Sequence, residues 1–562
     1  MVSAIAVTRA VPQLSPLISR GTNMLWILSI ACLIAAVFLF VRWLIKPVDM
    51  VEPVTATVNS GKYNWESPTF VASGPFFIKP WLQPGNTPTF DASGLESMEL
   101  FFHTATRLSS CRVEVTLLSA GDEDNSLVTF RPESRTINLV GVANQVQYVT
   151  RMTGLAPDTE YRYRIFFGVD EVFTSTFATR KQKGKSFSAI VFGDMGSGSP
   201  WQRQVAYQMS QPGPRGNATA HKRPRGADLI ISAGDNVYHH GRFNEYLSRF
   251  FPIYQAETAS PETGAYLMDK TMMLSTVGNH DMAKYDPETL MSFDEYPDLM
   301  AFFALFSLPL NGFATAHKLG QNAYTAEPGQ QVGANLPPMH GDTIARQALL
   351  NAAGERYPRM ANFSYDYGLA HFLFLDANTA MDWTNAELRD FVRKDLNSVE
   401  KGIWKVVVLH QPPFTSNRKH QREQGMRMLA DIFEECGVSV VFGGHCHCYE
   451  RTQPIKFVPR DGIDNKSRLP GGYIPGSITV DPHFDGKVNK KPSGVIYIVT
   501  GGGGAKLDSV DLSDQKHKWQ SFTAKLVGDR HSFTVVDFTP DTMSVRQIDM
   551  NGNEIDSIEI DA

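Results

Sequence analysis

The chain has 562 residues, of which 42% are hydrophobic and 20% charged, and its formal net charge is −5. This composition is typical of a folded protein with roughly two to four domains, and it excludes wholesale disorder. No Lys/Arg-rich run stands out, which argues against a nucleic-acid partner. Five cysteines are too few for a disulfide scaffold in a chain of this length, so they leave the redox compartment open.

The first predicted element is an apolar segment at 24–41, MLWILSIACLIAAVFLFV, with Trp26 and Trp43 near its two ends. An uncharged run of about 18 residues or more is long enough to span a bilayer, and tryptophan is enriched at membrane interfaces. We predict a tail over 1–23, a transmembrane anchor over 24–45 and a polar stalk over 46–64, with the rest of the chain on the exoplasmic side. A cleaved signal peptide and a secreted chain are the alternative, although no clear A-x-A site follows.

Residues 65–180 carry short alternating stretches separated by turn residues, which favours a β-sandwich. The stretches lie at 97–105, 111–119, 144–152 and 171–179. The sequence TGLAPDTEYRYRI at 153–165 resembles the corner of a fibronectin type III domain, where a tyrosine closes back onto the preceding loop. Tyr161 or Tyr163 would take that position. We predict that RKQKGKS, 180–186, is an exposed basic linker.

From residue 186 onwards, continuous apolar runs end in glycine and polar clusters, and helical patterns lie between them. Such runs are typical of buried strands, and their alternation with helices favours an α/β fold over 186–562. The runs lie at 187–198, 227–238, 271–281, 370–379, 404–414, 438–447 and 494–504, and the helical patterns at 385–401 and 424–437. Residues 300–360 show no periodicity, so we predict a long insertion and expect it to line the site.

Five of the apolar runs end in a distinctive polar cluster. The clusters contain Asp194, then Asp235 with Tyr238, then Asn279 with His280 and Asp281, then His410, then His445 with His447. A single such residue is usually a helix cap or a satisfied polar group. Open α/β sheets place ligands at the carboxyl ends of their strands, so the five clusters together are expected to converge on one sheet edge.

The residue types in these clusters indicate a metal site. Carboxylate, amide and phenol oxygens combined with imidazole nitrogens suit borderline transition metals better than calcium or magnesium. These candidate ligands exceed the needs of one ion, whereas two ions about 3.5–4 Å apart that share a carboxylate would use them well.

The ordered blocks GDMG, GDNVY, GNHD, VVLH and GHCH resemble the signature of the purple acid phosphatases, in the calcineurin-like metallophosphoesterase superfamily. The resemblance covers about 186–562, and Tyr238, three residues after Asp235, is the mark of the subfamily. It implies an α/β/β/α sandwich behind the fibronectin III-like domain, as in the large members of the family.

The resemblance also implies a role for each matched residue. Asp194, Tyr238 and His447 would hold Fe(III), Asn279, His410 and His445 would hold a divalent metal (Fe, Zn or Mn), and Asp235 would bridge the two ions. His280 and His420 would lie beside the substrate phosphate. For His420 a solvated surface histidine is the alternative interpretation. Asp281 stands where glutamate is common, and Cys446 and Cys448 stand where small residues are usual.

The activity implied is phosphoric monoester hydrolysis, an acid phosphatase reaction in which a metal-bound hydroxide attacks a small phosphate ester in line. A phosphodiesterase or nucleotide pyrophosphatase with the same metal site is an alternative, and so is an inactive ectodomain that binds partners. The sequence leaves the oligomeric state open.

Three further patterns have competing interpretations. GGHCHCYER, 443–451, could be a Cys/His zinc site, but we expect His445 and His447 to point the same way from extended backbone and Cys446 to point away. GGGG at 501–504 could cradle phosphate, although a tight turn at the edge of the site is favoured. Asn-x-Ser/Thr triplets at Asn217, Asn362 and Asn465 fit an exoplasmic glycoprotein without proving one.

Overall fold

The computed structural model of the chain describes residues 74–118, 127–211, 227–282, 292–312, 339, 341–379, 381–460 and 473–562. The predicted tail, anchor and stalk lie outside these residues and stay predictions. Within the described ranges, no helix combines the length and the apolar character needed to cross a bilayer.

The N-terminal part is a sandwich of two four-stranded antiparallel sheets, with strand orders β1-β2-β6-β5 and β4-β3-β7-β8. Its strands are β1 Ile78–Gln83, β2 Glu96–Thr104, β3 Cys111–Leu117, β4 Val128–Phe130, β5 Glu133–Ile137, β6 Gln145–Leu155, β7 Glu160–Phe167 and β8 Asp170–Ala178. The four stretches predicted as strands are confirmed as β2, β3, β6 and β8. Phe102 of β2 and Phe167 of β7 lie 6.1 Å apart between the two sheets, where inward-facing side chains form the core.

Tyr161 and Tyr163 have different roles. The hydroxyl of Tyr161 accepts a hydrogen bond from the backbone N–H of Ala156 at 2.9 Å, so Tyr161 closes the predicted corner. The hydroxyl of Tyr163 donates to the carbonyl of Asp269 at 2.9 Å and ties the sandwich to the following domain. Trp81 adds apolar contact across the same boundary, with its ring 4.3 Å from that of Phe251.

The prediction of an exposed linker at 180–186 is wrong for its first two residues, Arg180 and Lys181, which are both buried. Residues 182–186 are exposed, but the Arg180 side chain is fully buried and pairs with Glu96 at 2.7 Å. Its guanidinium also donates to the carbonyls of Thr87, Pro88 and Asp366. A planar group with five N–H donors can be buried when each donor finds an acceptor, and here they do.

The C-terminal part contains two stacked sheets, with orders β11-β10-β9-β21-β22-β23 and β12-β13-β14-β15-β19-β16-β20. The strands are β9 Phe187–Phe192, β10 Leu229–Ser232, β11 Met273–Ser275, β12 Phe363–Tyr367, β13 Ala370–Leu375, β14 Trp404–Leu409, β15 Val440–Gly443, β16 Tyr449–Thr452, β17 Ile455–Pro459, β18 Gly476–Val480, β19 Ile496–Thr500, β20 Thr523–Val527, β21 Ser532–Phe538, β22 Thr542–Asp549 and β23 Glu554–Asp561. Strands β17 and β18 form a separate antiparallel pair.

Both faces of the second sheet are buried, which explains the continuous apolar runs. Phe372 and Val406 belong to the core shared with the first sheet, whereas their neighbours Leu373 and Val407 belong to a second core under the outer helices. Because side chains alternate between the faces of a strand, a strand covered on both faces is apolar at nearly every position. The α/β/β layering is therefore observed, with helices outside it.

The longer helices are Pro200–Met209, Thr343–Ala353, Ala386–Asn397 and Ala430–Glu435, with a 3₁₀ turn Gly425–Leu429 before the last. Shorter helical segments are Phe243–Glu245, a π-helical turn Tyr246–Phe250, Phe251–Tyr254, Phe302–Leu305, Arg356–Arg359 and two 3₁₀ turns, Val510–Leu512 and Lys516–Lys518. The helices predicted at 385–401 and 424–437 are confirmed, and Gly437 follows the second with φ of 72°.

The prediction of a pattern-free insertion at 300–360 is wrong in its described parts. Residues 300–310 are all buried, and Thr343–Ala353 is a regular helix capped by Asp342. Gln147 of the sandwich donates to the carbonyl of Ala304 at 3.3 Å, and Arg356 donates to that of Phe306 at 2.8 Å. These parts thus pack against the sandwich rather than lining the site.

His371 of β13 links three elements through its two ring nitrogens. Nδ1 lies 2.7 Å from Asp366 Oδ1 on β12, and Nε2 lies 2.9 Å from Asp395 Oδ2 on the helix Ala386–Asn397. Burial alone would lower the pKa of His371, but the two carboxylates raise it to about 9. The charged imidazolium therefore connects β12 and β13 to the helix Ala386–Asn397.

One predicted glycosylation triplet can be assessed. Asn362 is buried, and its side-chain oxygen accepts a hydrogen bond from the backbone of Asp376 at 2.8 Å. A glycan could not attach there in the folded chain, so this triplet is structural. Asn217 and Asn465 lie outside the described residues.

Candidate metal centre

The predicted ligands follow five parallel strands, but these strands belong to two sheets. Asp194, Asp235 and Asn279 come after β9, β10 and β11 of the first sheet, and His410 and His445 come after β14 and β15 of the second. The prediction of a single sheet edge is therefore wrong. The two sheets stack so that the carboxyl ends of these five strands lie on the same side of the domain. The loops that follow the strands meet there.

Three ligands form a first group. The Tyr238 hydroxyl donates to Asp194 Oδ1 at 3.0 Å and lies 3.0 Å from His447 Nε2. His447 Nε2 is itself 3.5 Å from the same carboxylate oxygen. The group expected to hold one ion is thus brought together by three separate loops.

Three other ligands form a second group around Asn279. Its Oδ1 lies 3.1 Å from His410 Nε2 and 3.0 Å from His445 Nδ1. One amide oxygen and two imidazole nitrogens therefore point at one small volume.

Asp235 stands between the two groups. Its Oδ2 is 3.3 Å from His410 Nε2 in the second group, and its charge raises the pKa of Tyr238 in the first. Asp194, Asp235 and His410 each offer a ligand atom within 4.8 Å of the others. This is the position of a carboxylate that could be shared by two ions.

The outer hydrogen bonds fix which nitrogen of each histidine faces the centre. A carbonyl can only accept, so Nδ1–H of His410 donates to Ala233 and Nδ1–H of His447 donates to Lys506, both at 2.7 Å. Nε2 is therefore the nitrogen of each ring that faces the centre. His445 is reversed, because its Nε2 donates to the Glu423 carboxylate at 2.7 Å and leaves Nδ1 for the centre.

The backbone around the centre is unusual. Asp194, Asp235 and His445 have φ of 58°, 53° and 69°, a region that residues other than glycine rarely adopt. The prediction that His445 and His447 extend from strand backbone is therefore wrong, although they do serve two adjacent groups. A Cβ on Gly278 would lie 2.1 Å from Asp235 Oδ1, and one on Gly444 would lie 2.5 Å from Asp194 Oδ2, so only glycine permits this approach.

The electrostatics fit a site for cations. Burial raises the pKa of Asp194 to about 6, and burial with the neighbouring carboxylates raises that of Tyr238 far above its usual value. Burial would lower the pKa of His410, but Asp235 and Asp194 raise it to about 10. The raised pKa values mean that protons offset the negative charge of this buried cluster, and bound cations would offset the same charge. The donor set thus fits two metal ions.

Asp281 shapes two of the ligand loops, a role that sequence reasoning missed. It is fully buried, and its carboxylate accepts hydrogen bonds from the backbone of Asn236 at 3.2 Å and of Gly278 at 2.9 Å. The Tyr246 hydroxyl also donates to it at 2.8 Å. Its place directly after Asn279 and His280 was the available sequence signal.

Glu423 is the second missed residue. Its Oε1 lies 2.8 Å from His420 Nδ1, and its Oε2 accepts from His445 Nε2. Burial alone would raise the pKa of Glu423, but the two imidazoles outweigh it and hold the pKa well below its usual range. The spacing of three residues after His420 was the only sequence signal.

His420 is buried, so its interpretation as a solvated surface histidine is wrong. Its ring lies 4.0 Å from that of His445, and its Nε2 is 3.7 Å from Asp508 Oδ2. His280 is the more open of the two predicted histidines. Its Nδ1 donates to the carbonyl of His239 at 2.7 Å, and its Nε2 lies 3.9 Å from Asp235 Oδ2.

The cysteines of the GGHCHCYER stretch take no part in the centre. Cys446 and Cys448 are buried in a small apolar cluster with Val499, and burial raises the pKa of both thiols far above the usual value. Neutral thiols facing an apolar core are not zinc ligands. Among the residues that the structure describes, a Cys/His zinc site is therefore ruled out.

The four glycines at 501–504 follow β19 and pack against the first ligand loop. Gly503 N–H donates to the carbonyl of Gly193 at 3.0 Å, and a Cβ on Gly501 would lie 2.1 Å from the carbonyl of Cys446. The strip is an edge of the centre that needs small residues, which agrees with the favoured interpretation of a tight turn.

Comparisons with known proteins agree with this architecture. Residues 187–449 match the calcineurin-like phosphoesterase family. Purple acid phosphatase 15 of Arabidopsis thaliana is 32% identical over 97 residues, 16% of this chain and 18% of that protein. A nucleotide pyrophosphatase/phosphodiesterase of Hordeum vulgare is 26% identical over 175 residues, 29% of this chain and 41% of that protein. The matched stretches thus span less than half the length of either relative.

A solved structure extends the likeness to most of the chain. The purple acid phosphatase PPD1 from yellow lupin seeds superposes with a TM-score of 0.53 at 16% identity, covering 87% of this chain and 74% of that one. Fold and site together define a calcineurin-like phosphoesterase domain at residues 187–449. The relatives include a purple acid phosphatase, and the lupin purple acid phosphatase shares the fold, in agreement with the predicted resemblance to that family.

Proposed function

We propose that this chain is a phosphoric monoester hydrolase, an acid phosphatase that acts on small phosphate esters with a dinuclear metal centre. The observation that carries the proposal is the pair of three-ligand groups on either side of Asp235. Asp194, Tyr238 and His447 would hold Fe(III), which suits a phenol oxygen, and Asn279, His410 and His445 would hold divalent Fe, Zn or Mn. Two such cations would offset the charge of a phosphate ester and lower the pKa of a water molecule that attacks it.

The chain's own groups would bind the phosphate and move the proton. The Nδ1–H of His280 is held by the His239 carbonyl, so Nε2 is the nitrogen left for the substrate. A proton on Nε2 would donate to a phosphate oxygen and then pass to the departing alcohol. Nε2 of His420 makes no hydrogen bond to a described residue, and we assign it as a second contact to the substrate phosphate.

A phosphodiesterase or nucleotide pyrophosphatase is the second candidate, because the Hordeum vulgare relative carries that name and is 26% identical to this chain over 175 residues. Metal-loaded protein should be given p-nitrophenyl phosphate and bis(p-nitrophenyl) phosphate, which release the same alcohol. We expect the monoester to have the higher kcat/KM. Cleavage of the diester alone would replace the first proposal by the second, and cleavage of neither would support an inactive binding protein.

For the cellular location we propose a single-pass anchor at 24–45 with the catalytic domain on the exoplasmic side, and secretion after signal cleavage as the alternative. The support is the length of the uncharged run at 24–41. Alkaline carbonate extraction of membranes tests it, because an anchored chain stays in the pellet and a secreted one does not. The proposal includes no nucleic-acid partner and assigns no oligomeric state.

A further inference from the structure

Trp201 is an exposed aromatic residue that the proposed reaction does not use. Five tryptophans lie in the described part of the chain, and Trp201, at 45%, is the one that is exposed. It stands at the start of the helix Pro200–Met209, which Ser199 caps. A single exposed apolar ring is ordinary on a protein surface, so what holds the Trp201 ring and where it lies decide whether it has a role.

The ring is held flat against the protein. Trp201 stacks on His531 with ring centroids 5.2 Å apart and planes 18° apart. Burial lowers the pKa of His531 to about 4, with a smaller contribution from the nearby charge of His447. The histidine is therefore an uncharged aromatic support for the indole, and 45% of Trp201 remains exposed.

The backbone of residues 502–506 makes hydrogen bonds both to this stack and to a ligand of the metal centre. Gly502 O accepts from His531 Nδ1 at 3.2 Å, and Lys506 O accepts from His447 Nδ1 at 2.7 Å. The Ser199 hydroxyl, two residues before Trp201, donates to Gly504 O at 2.6 Å. Trp201 is also only seven residues beyond the ligand Asp194 along the chain. These links place the stack beside the loops that carry Asp194 and His447.

We propose that Trp201 is an aromatic platform for the alcohol part of the substrate, so that the enzyme prefers phosphate monoesters whose alcohol carries a planar aromatic ring. The proposal rests on the proposed phosphatase function and adds a substrate class to it. Indole offers a broad face to a planar ring, and stacking of this kind strengthens binding by roughly tenfold, whereas a saturated ring of the same size gains less.

The test compares benzyl phosphate with cyclohexylmethyl phosphate, which share their charge and leaving-group type and differ in the planarity of the ring. Metal-loaded wild-type protein should show a kcat/KM ratio of about ten in favour of the benzyl ester. Trp201→Phe should keep most of that ratio, and Trp201→Leu should bring it close to one. Tyr473→Leu, at a 41% exposed aromatic residue just before β18, is the control and should leave the ratio as in wild type.

A second measurement reads binding without turnover. The inhibition constants of benzylphosphonate and cyclohexylmethylphosphonate should shift in the same way across the four proteins. An unchanged preference in Trp201→Leu, or a wild-type ratio near one, would overturn the platform while leaving the phosphatase intact. Failure of the metal-loaded wild type to hydrolyse either ester would instead overturn the phosphatase, and the platform with it.

Discussion

Replacing Glu423 by glutamine should loosen one metal ion and spare the other. The carboxylate accepts hydrogen bonds from His445 and His420 at 2.7 and 2.8 Å, and the glutamine amide offers a single acceptor oxygen for the two N–H groups. Removing a partner that orients a metal-binding histidine costs about 10- to 100-fold in metal affinity, which is about 1.4–2.8 kcal/mol. The loss should fall on the ion held by Asn279, His410 and His445.

Competition of metal-free protein with a chromophoric chelator measures the two stepwise binding constants. The other ion should bind nearly as in wild type, because His447 is oriented by the Lys506 carbonyl rather than by Glu423. Glu435→Gln, at an exposed glutamate paired with Arg393, is the matched control and should change neither constant. Two unchanged constants in Glu423→Gln, or equal losses at both sites, would refute the assignment of His445 to one ion.

Three further changes have distinct readouts. Tyr238→Phe should abolish the visible absorption band that tyrosinate gives to a bound Fe(III); a colourless wild type with zinc alone would contradict the iron assignment. His371→Gln should lower the free energy of unfolding by about 2 kcal/mol at pH 6, where both native and unfolded histidine are protonated; the magnitude is modest because one carboxylate partner, Asp366, is half exposed. The loss should shrink as the pH rises from 6.5 through about 9, because the native imidazolium then loses its proton. Urea unfolding of both proteins at pH 6 and pH 10 should show this convergence, and a pH-independent difference would contradict it. Arg180→Lys should cost about 2–3 kcal/mol in the same assay, because an ammonium cannot reach the acceptors of the guanidinium, and a change within about 0.5 kcal/mol would mean that the buried pair is not what holds the domains together.

The parts of the fold that the sequence predicts are those set by local pattern. The runs that became β9, β13 and β14 are each apolar at all but one position because both faces of their sheets are covered, and that pattern is visible in the residues themselves. The pairing of strands is a long-range property. β9 lies beside β21, which begins at Ser532, so one sheet could not be told from two by spacing.

The same distinction holds for the site. Ligands such as Asp194 and Asn279 could be predicted because they directly follow strand-like runs. The role of Glu423 could not, because it depends on contacts with His420 and His445 that form only in the fold. Arg180 was predicted to be exposed because arginine usually is, and its burial depends on Glu96, 84 residues away. Residues whose roles depend on distant partners carry no local signal.

The metal content of purified wild-type and Asp235→Asn proteins tests the central claim most directly. Elemental analysis should find two metal ions per wild-type chain, and the variant should lose metal together with most of its turnover, since both ions would share this carboxylate in the proposed centre. A single ion in fully active wild-type protein, or two ions and near-normal turnover in the variant, would contradict the dinuclear centre.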